Sequence, residues 1–400
     1  MDREGNKHAL KKWIGNILFS VYVFLIMIDP TNVIFHLKEI AFVLFMVFNV
    51  VAYRPNLRYL PAILLIYAML VLTSTFSQMQ MAPVDYDALT YTYKSFLPLV
   101  FLLWVDHYNV IKLTLLPAFL VGSMYLLIYV WVSVNTNVES IVYTYSRAND
   151  DLLMMSHRYF YGVPVFAVYL RSTVGFSMAL FSFYYSFFHN QGNRLFMFIA
   201  SIVITMVFWG TGSRATMLFP VFILGLVFYN KLKDLRLFKY FFFPFMALAA
   251  LLLLAFVVLL GMEKSEASNV IKFAHLGSYA QLFSDHPIYL LIGEGPGTKF
   301  YSAGFHRYTP LTEWTYLELI RNYGLFAIIP LGVVLYPLIC LMRGEKDNHT
   351  VGIIGSYALY LLVASTNPLL FSSTGMLIIW SAYSQLRRVR KKKQEIPIVA

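Results

Sequence analysis

The chain has 400 residues, of which 59% are hydrophobic and only 13% are charged, and its mean hydropathy is +0.65. This composition excludes a soluble globular protein, because too few polar side chains are present to cover a water-facing surface. The formal net charge of +11 reflects basic clusters at 231–239 and 387–393 that flank apolar segments, which indicates membrane topology rather than nucleic-acid binding.

Apolar segments bounded by charges or turn residues predict an all-α, polytopic integral membrane protein with about twelve transmembrane helices. In chain order, the predicted spans are 13–28, 39–53, 60–76, 93–105, 113–134, 172–188, 195–209, 215–229, 240–260, 322–342, 351–366 and 374–386. Their interiors carry no Lys, Arg, Asp, Glu or His, which argues against an ion-coupled transporter, because such proteins use charged groups at mid-membrane.

The distribution of Lys and Arg orients the predicted spans. With both termini in the cytoplasm, 20 of the 31 basic residues lie on the cytoplasmic side, as the positive-inside rule requires. Two segments on the opposite side, 135–171 and 261–321, are longer than a connector needs, and we expect function there. No repeat or linker divides the chain, so residues 1–400 are predicted to form one integral membrane domain.

Arginines are more numerous on the outer side than the positive-inside rule predicts. They are Arg147, Arg158, Arg171, Arg214, Arg307 and Arg321. The guanidinium group matches phosphate with two parallel hydrogen bonds, so the set predicts an anionic ligand at the outer membrane surface. The alternative is that these side chains anchor loops to lipid headgroups or pair with acidic residues.

Three further patterns concern anion and metal binding. Gly293-Glu294-Gly295-Pro296-Gly297 is either an ordinary tight turn or a turn whose backbone amides bind an anion. Asp85 and Asp87 have a spacing that can hold a divalent cation, but this spacing is also common in exposed turns. No zinc-binding histidine spacing is present, and the single cysteine, Cys340, excludes a disulfide within the chain. We therefore expect no metal or other cofactor.

Three ordered motifs resemble those of the O-antigen polymerase and O-antigen ligase superfamily. Thr211-Gly212-Ser213-Arg214-Ala215 resembles its TGSRG signature, and His286-Pro287 followed by Gly293-Glu294-Gly295 resembles its HP…GxG segment. The run from Glu313 to Leu325 is similar to the segment with which the large periplasmic loop of the family re-enters the membrane. Ligases of the superfamily carry histidine at the place of Glu313, so the glutamate favours a polymerase.

The resemblance implies a GT-C-like glycosyltransferase in the bacterial inner membrane, with a periplasmic active site. Such a polymerase transfers the growing glycan from undecaprenyl pyrophosphate to a new undecaprenyl-pyrophosphate-linked oligosaccharide repeat unit, next to membrane lipid. A flippase and a chain-length regulator are the implied protein partners. Two alternatives remain: a ligase that transfers polysaccharide to lipid A core, and a lipid-linked oligosaccharide flippase, which is not an enzyme.

The resemblance and the residue chemistry assign roles to individual residues. Arg214 is expected to stabilise the pyrophosphate leaving group, and Glu313 is expected to accept the proton of the acceptor hydroxyl. The alternative for Glu313 is a solvated or salt-bridged carboxylate at a helix start. The residues expected to bind pyrophosphate or glycan are Arg147, Arg158, Arg171, Arg307, Arg321, Gly293, Glu294 and Gly295.

Overall fold

The computed structural model describes residues 3–32, 35–148, 153–160, 163–232, 267–344 and 347–395, together with residues 240 and 244. Helices dominate this part of the chain, in agreement with the predicted all-α class. They are α1 (Arg3–Ile28), α2 (Lys38–Ala52), α3 (Leu60–Met79), α4 (Tyr86–Phe96), α5 (Val110–Val134), α6 (Thr136–Ala148), α7 (Ser177–Phe188), α8 (Arg194–Gly210), α9 (Arg214–Leu232), α10 (Ala267–Asp285), α11 (Tyr289–Ile292), α12 (Thr315–Tyr323), α13 (Ile328–Arg343), α14 (Asn348–Ala364) and α15 (Ser373–Glu395).

Two antiparallel hairpins lie in the segments predicted to face outward. Strand β1 (Leu153–Phe160) pairs with β2 (Val163–Leu170), and Leu153 is opposite Leu170. Strand β3 (Phe300–Ser302) pairs with β4 (Arg307–Thr309). The two long outer segments therefore contain ordered secondary structure rather than irregular loop alone.

Four stretches of the described chain are long and apolar enough to cross a membrane: Asn6–Ile28, Leu57–Met79, Val110–Val134 and Thr315–Arg343. Three apolar helices are shorter, at Arg194–Gly210, Thr216–Leu232 and Asn348–Ala364. These helices indicate a membrane-associated protein. The predicted span 240–260 lies outside the described residues, apart from two isolated positions.

Three of the predicted spans are not continuous α-helices, and one of them, 322–342, contains the 3-10 helix Gly324–Ala327 between α12 and α13. Within 93–105, α4 ends at Phe96 and a 3-10 helix continues over Leu97–Leu103, because Pro98 has no backbone N–H to donate to an α-helical hydrogen bond. Within 172–188, the 3-10 helix Arg171–Phe176 precedes α7. The 12 residues of α7 extend only about 18 Å, well short of the roughly 30 Å hydrocarbon core.

Apolar faces of several helices meet in one aromatic core. Trp380 of α15 is fully buried, and its ring centroid lies 4.8 Å from that of Phe101 and 6.3 Å from that of Phe19. Phe45 of α2 joins the same cluster, 5.1 Å from Phe101. The 3-10 helix that carries Phe101 is thus held inside the bundle, where burial of its apolar side chains offsets its less favourable backbone geometry.

Side-chain caps begin several helices where the sequence has Asn or Asp before an apolar run. Asn109 accepts a hydrogen bond from the backbone N–H of Lys112 at the start of α5, and Asn193 accepts one from Phe196 at the start of α8. Asp85 accepts from the amides of Asp87 and Ala88 before α4. Each cap satisfies backbone donors that have no partner within the helix.

Candidate functional site

The second long outer segment folds back onto the start of the Thr315–Arg343 stretch. Its glycine-rich turn forms backbone hydrogen bonds with the segment that precedes α4: the amide of Asp85 donates to the carbonyl of Gly297 at 2.8 Å, and Lys299 donates to Pro83 at 3.0 Å. An isolated β-bridge pairs Val84 with Thr298. These contacts fix the turn between α4 and α12.

Arg321 is fully buried at the centre of this region and binds two carboxylates. Its Nε and Nη2 donate to Oε2 of Glu318 at 3.0 and 2.8 Å, and its Nη1 donates to Oε2 of Glu294 at 2.7 Å. Nη1 also donates to the carbonyl and hydroxyl oxygens of Thr298, and Nη2 to the carbonyl of Pro310. Arg321 therefore joins α12 to two separate parts of the outer segment.

Aromatic and hydroxyl groups close the network on its other side. The guanidinium carbon of Arg321 lies 4.7 Å from the ring centroid of Phe300, at cation–π distance. The Tyr279 hydroxyl donates to Oε1 of Glu318 at 2.6 Å and lies 2.6 Å from the Thr312 hydroxyl. Burial, together with the negative charge of Glu318, raises the pKa of Tyr279 far above its usual value, so its hydroxyl remains a donor.

The glycine-rich turn uses its amides within the protein. Gly293 donates to the carbonyl of Tyr289 at 2.9 Å, Glu294 to that of Arg321 at 2.6 Å, and Gly295 to that of Asn322 at 3.2 Å. Gly293 and Gly295 have φ values of 83° and 100°, which side chains rarely adopt, and a Cβ on Gly293 would meet the Asn322 backbone. The amides of Glu294 and Gly295 thus dock the turn onto α12, that of Gly293 bonds to α11, and this arrangement fits the ordinary tight turn.

Glu313 lies at the partly exposed edge of the network, just before α12. Its carboxylate is 3.3 Å from the ammonium of Lys272, and 39% of its side chain is accessible. The indole N–H of the neighbouring Trp314 donates to the carbonyl of Lys272 at 3.0 Å, which fixes the approach of the two chain segments. The ion pair fits the salt-bridged alternative, and the exposure leaves the carboxylate accessible to a substrate.

His275 of α10 is within electrostatic range of Glu313 and was not singled out from the sequence. Its side chain is fully buried, Nδ1 is 2.8 Å from the hydroxyl of Ser302, and Nε2 has no hydrogen-bond partner among the described residues. Burial lowers the pKa of His275, although the charges of Glu313 and Glu318 oppose this effect. Burial therefore favours the neutral imidazole of His275, near the predicted base.

Among the remaining predicted arginines, Arg171 and Arg307 have described side chains. Arg307 is exposed on β4, with its guanidinium 5.7 Å from the Phe305 ring, and Arg171 is half-buried at the 3-10 helix after β2. Arg147 belongs to α6 and Arg158 to β1, but their side chains lie outside the described ones. Their substrate-binding roles stay predictions.

Arg214 is the first residue of α9, directly after a turn from α8. Gly212 adopts φ 60° in this turn, and the hydroxyls of Thr211 and Thr216 lie 2.6 Å apart across it. The side chain of Arg214 lies outside the described ones, so the structure places the helix start but gives no contacts for the guanidinium.

An apolar cavity of about 510 Å³ opens beside this turn, between α5, α8 and α9. It is lined by Leu126, Tyr129, Val130, Met206, Trp209, Gly210 and Met217. Trp209 is two residues before the turn and Met217 is one helical turn after Arg214. A hydrocarbon chain in this cavity would therefore end close to the start of α9.

Asp85 and Asp87, whose spacing can hold a divalent cation, lie at the start of α4. Oδ1 of Asp85 caps α4, and its Oδ2 lies 3.2 Å from the ammonium of Lys299. The hydrogen bond from Ala88 and the ion pair with Lys299 lower the pKa of Asp85. Both oxygens of Asp85 thus have structural partners, and no cluster of three or more metal-binding side chains occurs among the described residues.

Comparison of the chain with family models, curated proteins and solved structures gives no match in any of the three.

Proposed function

We propose that the protein is an O-antigen polymerase of the bacterial inner membrane, with about twelve spans, a GT-C-like architecture, both termini in the cytoplasm and a periplasmic active site. It would transfer the growing glycan from one lipid pyrophosphate to the sugar end of a new lipid-linked repeat unit. A lipid pyrophosphate leaves in each cycle, and the protein requires no metal for that step.

One observation carries this proposal: two segments that separately resemble motifs of the family are in direct contact. Glu294 belongs to the glycine-rich motif and Arg321 to the re-entry motif, and they form both a backbone hydrogen bond of 2.6 Å and an ion pair of 2.7 Å. A chance resemblance gives no reason for the two segments to meet. Their contact supports the view that they form one functional unit at the outer face.

The chemistry of the proposed transfer assigns different tasks to buried and exposed groups. Negative charge develops on the pyrophosphate as the glycosyl bond breaks, and a preorganised guanidinium stabilises this charge. Arg214 is proposed for this task, because it begins α9 beside the apolar cavity that suits a lipid chain. Arg147, Arg158 and Arg307 are proposed to contact the glycan or the phosphates from the outer segments.

Removal of the acceptor proton is assigned to Glu313. This carboxylate is accessible, whereas Glu294 and Glu318 are buried and bonded to Arg321. A general base must come within hydrogen-bond reach of the proton it abstracts, and among these three glutamates Glu313 is the one open to an incoming hydroxyl. The burial and bonding of Arg321 support a positioning role rather than contact with substrate.

The proposal is tested by lipopolysaccharide banding from a source strain that lacks this chain. If the protein is a polymerase, the lipopolysaccharide of this strain should carry one repeat unit only. Lipopolysaccharide without any repeat unit would instead indicate a ligase or a flippase. Complementation with Arg214→Lys should leave mainly single-repeat lipopolysaccharide, because lysine keeps the charge but loses the planar fork. Loss of one such transition-state contact slows turnover on the order of a hundredfold. Normal polymer from this variant, at normal protein level, would contradict the role of Arg214.

A further inference from the structure

A cavity of about 490 Å³, which we name the polar cavity for the charged groups among its mainly apolar walls, lies between α1, α2 and α4, outside the Arg321 network. Its charged and hydroxyl groups include Lys38, Glu39, Asp87, Lys94, Ser372 and Ser373. All of them fall on the outer side in the predicted topology. The volume is within the range of roughly 300–1,000 Å³ that is typical of ligand pockets.

Two lysines give this cavity its capacity for an anion. The ammonium of Lys38 contacts the carbonyl of Pro30, and Lys94 pairs with Glu39 at 3.2 Å. Burial lowers the pKa of Lys38 to about 8, despite the opposing charges of Asp29 and Glu39, so the ammonium is incompletely stabilised by its present neighbours. More than half of the Lys94 side chain and of the Glu39 side chain is exposed. Ion pairs between such exposed side chains exchange partners at little cost in free energy.

An apolar groove of about 390 Å³ continues from the cavity along α2. The two spaces share Phe42, Val43 and Leu97 as walls. Val43, Val47 and Val51 follow one another at four-residue spacing on α2, and more than half of each side chain is exposed. The groove therefore begins at the polar cavity and follows one face of the helix.

The dimensions of the groove fit a lipid chain that enters the bilayer. From Lys38 to Val51, α2 rises about 20 Å, which is roughly two-thirds of the hydrocarbon thickness. The charged cavity is at the outer end of the helix and the purely apolar lining is at depth. This order of polar and apolar surface matches the order of headgroup and chain in a lipid.

We propose that this cavity and groove form a binding site for a long-chain lipid phosphate: Lys38 and Lys94 bind the phosphate, and the Phe42–Val51 face of α2 binds the chain. The carboxylates of Glu39 and Asp87 accept hydrogen bonds from the hydroxyl groups of a sugar that is attached to the phosphate. The identification of this lipid with a substrate of the polymerase rests on the proposed function, whereas the lipid site itself does not.

A small third cavity connects this lipid site with the motif-bearing region. Its volume is about 90 Å³, and it shares Tyr91, Ser95 and Ser372 with the polar cavity. On its far side it is lined by Thr315 and Glu318 of α12. A headgroup held by the lysines would therefore extend its attached sugars towards the re-entry motif.

Photocrosslinking of the full chain tests the site without any substitution. The protein is placed in phosphatidylcholine nanodiscs with farnesyl phosphate that carries a diazirine in its chain. Crosslinks are expected at 42–51 and 97–100, and excess unlabelled farnesyl phosphate should remove them. Crosslinks only at the cavity between α5, α8 and α9, or spread evenly over all lipid-facing helices, would overturn the inference.

Binding measurements separate the headgroup from the chain. The double variant Lys38→Gln, Lys94→Gln should bind farnesyl phosphate at least about tenfold more weakly, because two charge-assisted contacts are lost. Arginine at both positions should restore most of the affinity. Lys112→Gln, at an exposed lysine on α5, is the matched control and should bind normally. Binding by the double variant within threefold of the wild-type value would refute the role of the lysines.

The groove has its own pair of variants. Val47→Trp fills the groove and should weaken binding at least about tenfold, whereas Val71→Trp, at an equally exposed valine of α3, should not. Displacement of the lipid by inorganic phosphate at similar concentration would mean that the cavity binds an ion rather than a lipid. If these variants bind the lipid more weakly but form polymer normally, the lipid site is confirmed and its occupant is a membrane lipid rather than a substrate. Normal lipid binding without polymerase activity would contradict the proposed function alone.

Discussion

Replacement of Arg321 by methionine tests whether the buried network holds the outer segment in place. Methionine has a side chain of similar length but no charge, so Glu294 and Glu318 stay buried without their cation. Removal of one partner from a buried ion pair destabilises by about 3–5 kcal/mol. At 1.36 kcal/mol for each factor of ten, the population in which this segment opens should rise on the order of a hundredfold or more.

Amide hydrogen exchange measures this opening directly. The N–H groups of Glu294 and Gly295 donate to the carbonyls of Arg321 and Asn322, which every side chain at 321 retains. Exchange of the peptide 293–298, measured by mass spectrometry in nanodiscs, should accelerate by about the factor just derived. Acceleration of less than threefold, in a variant with unchanged helix content, would show that the network does not hold the turn.

Two further variants identify the cause. Lys299→Gln breaks the 3.2 Å ion pair with Asp85, whose members are about one-third exposed, and should change the opening free energy by at most about 1 kcal/mol. Addition of Glu294→Gln and Glu318→Gln to the methionine variant removes the uncompensated charges, and part of the protection should return. No recovery would mean that packing against Phe300 matters more than charge.

Three other predictions follow from single contacts. Glu313→Gln should strongly reduce polymer formation if this carboxylate accepts the proton of the acceptor hydroxyl. Lys272→Gln breaks the Lys272–Glu313 ion pair but keeps the carboxylate, so it should retain activity. Equal loss of activity in both variants would favour a structural role for Glu313. Burial raises the pKa of Asp347, but hydrogen bonds from Thr350 and the charge of Lys392 outweigh this effect and lower that pKa to about 2. The ionised carboxylate therefore stabilises the fold fully at a pH above 3.8, the usual pKa of aspartate, and this stabilisation disappears as the pH falls towards 2. Asp347→Asn should flatten the pH dependence of the thermal midpoint between pH 6 and 2.5. In a Cys340→Ser background, an impermeant thiol reagent should label a cysteine at Tyr308 but not one at Lys112 in intact spheroplasts, and the reverse pattern would overturn the topology.

Helices could be predicted from the sequence wherever an apolar run was long, as at Val110–Val134. Hydropathy could not distinguish a membrane-crossing helix from a segment buried inside the bundle, since both are apolar on all sides. For the same reason, hydropathy did not reveal that 93–105, 172–188 and 322–342 each combine a 3-10 helix with α-helix. Pro98 was the local signal of the first break. The strands from 153 to 170 gave no clear signal within their long outer segment.

The residues of the candidate site were easier to predict from the sequence than the contacts between them. Glu294 and Arg321 were both selected, but their mutual contact depends on a long-range approach of two segments, which local patterns do not encode. Glu318 was missed, although its position three residues before Arg321 places the two side chains on one helix face. Tyr279 and His275 had no local motif, and only burial in the folded structure reveals them.

The contrast between Arg321 and Glu313 bears on how such a site works. A transferase at a membrane surface must keep an outer segment in register with a lipid headgroup while leaving its reacting groups accessible. The buried arginine satisfies two carboxylates and several backbone carbonyls, so the position of α12 is fixed without any contribution from substrate. Glu313 lies two residues before that fixed helix and is accessible, so in the proposed polymerase a fixed element would present the base to the acceptor. A variant that loosens Arg321 should therefore reduce polymer formation through misplacement of Glu313, and it should do so without changing the affinity of farnesyl phosphate for the separate cavity at Lys38.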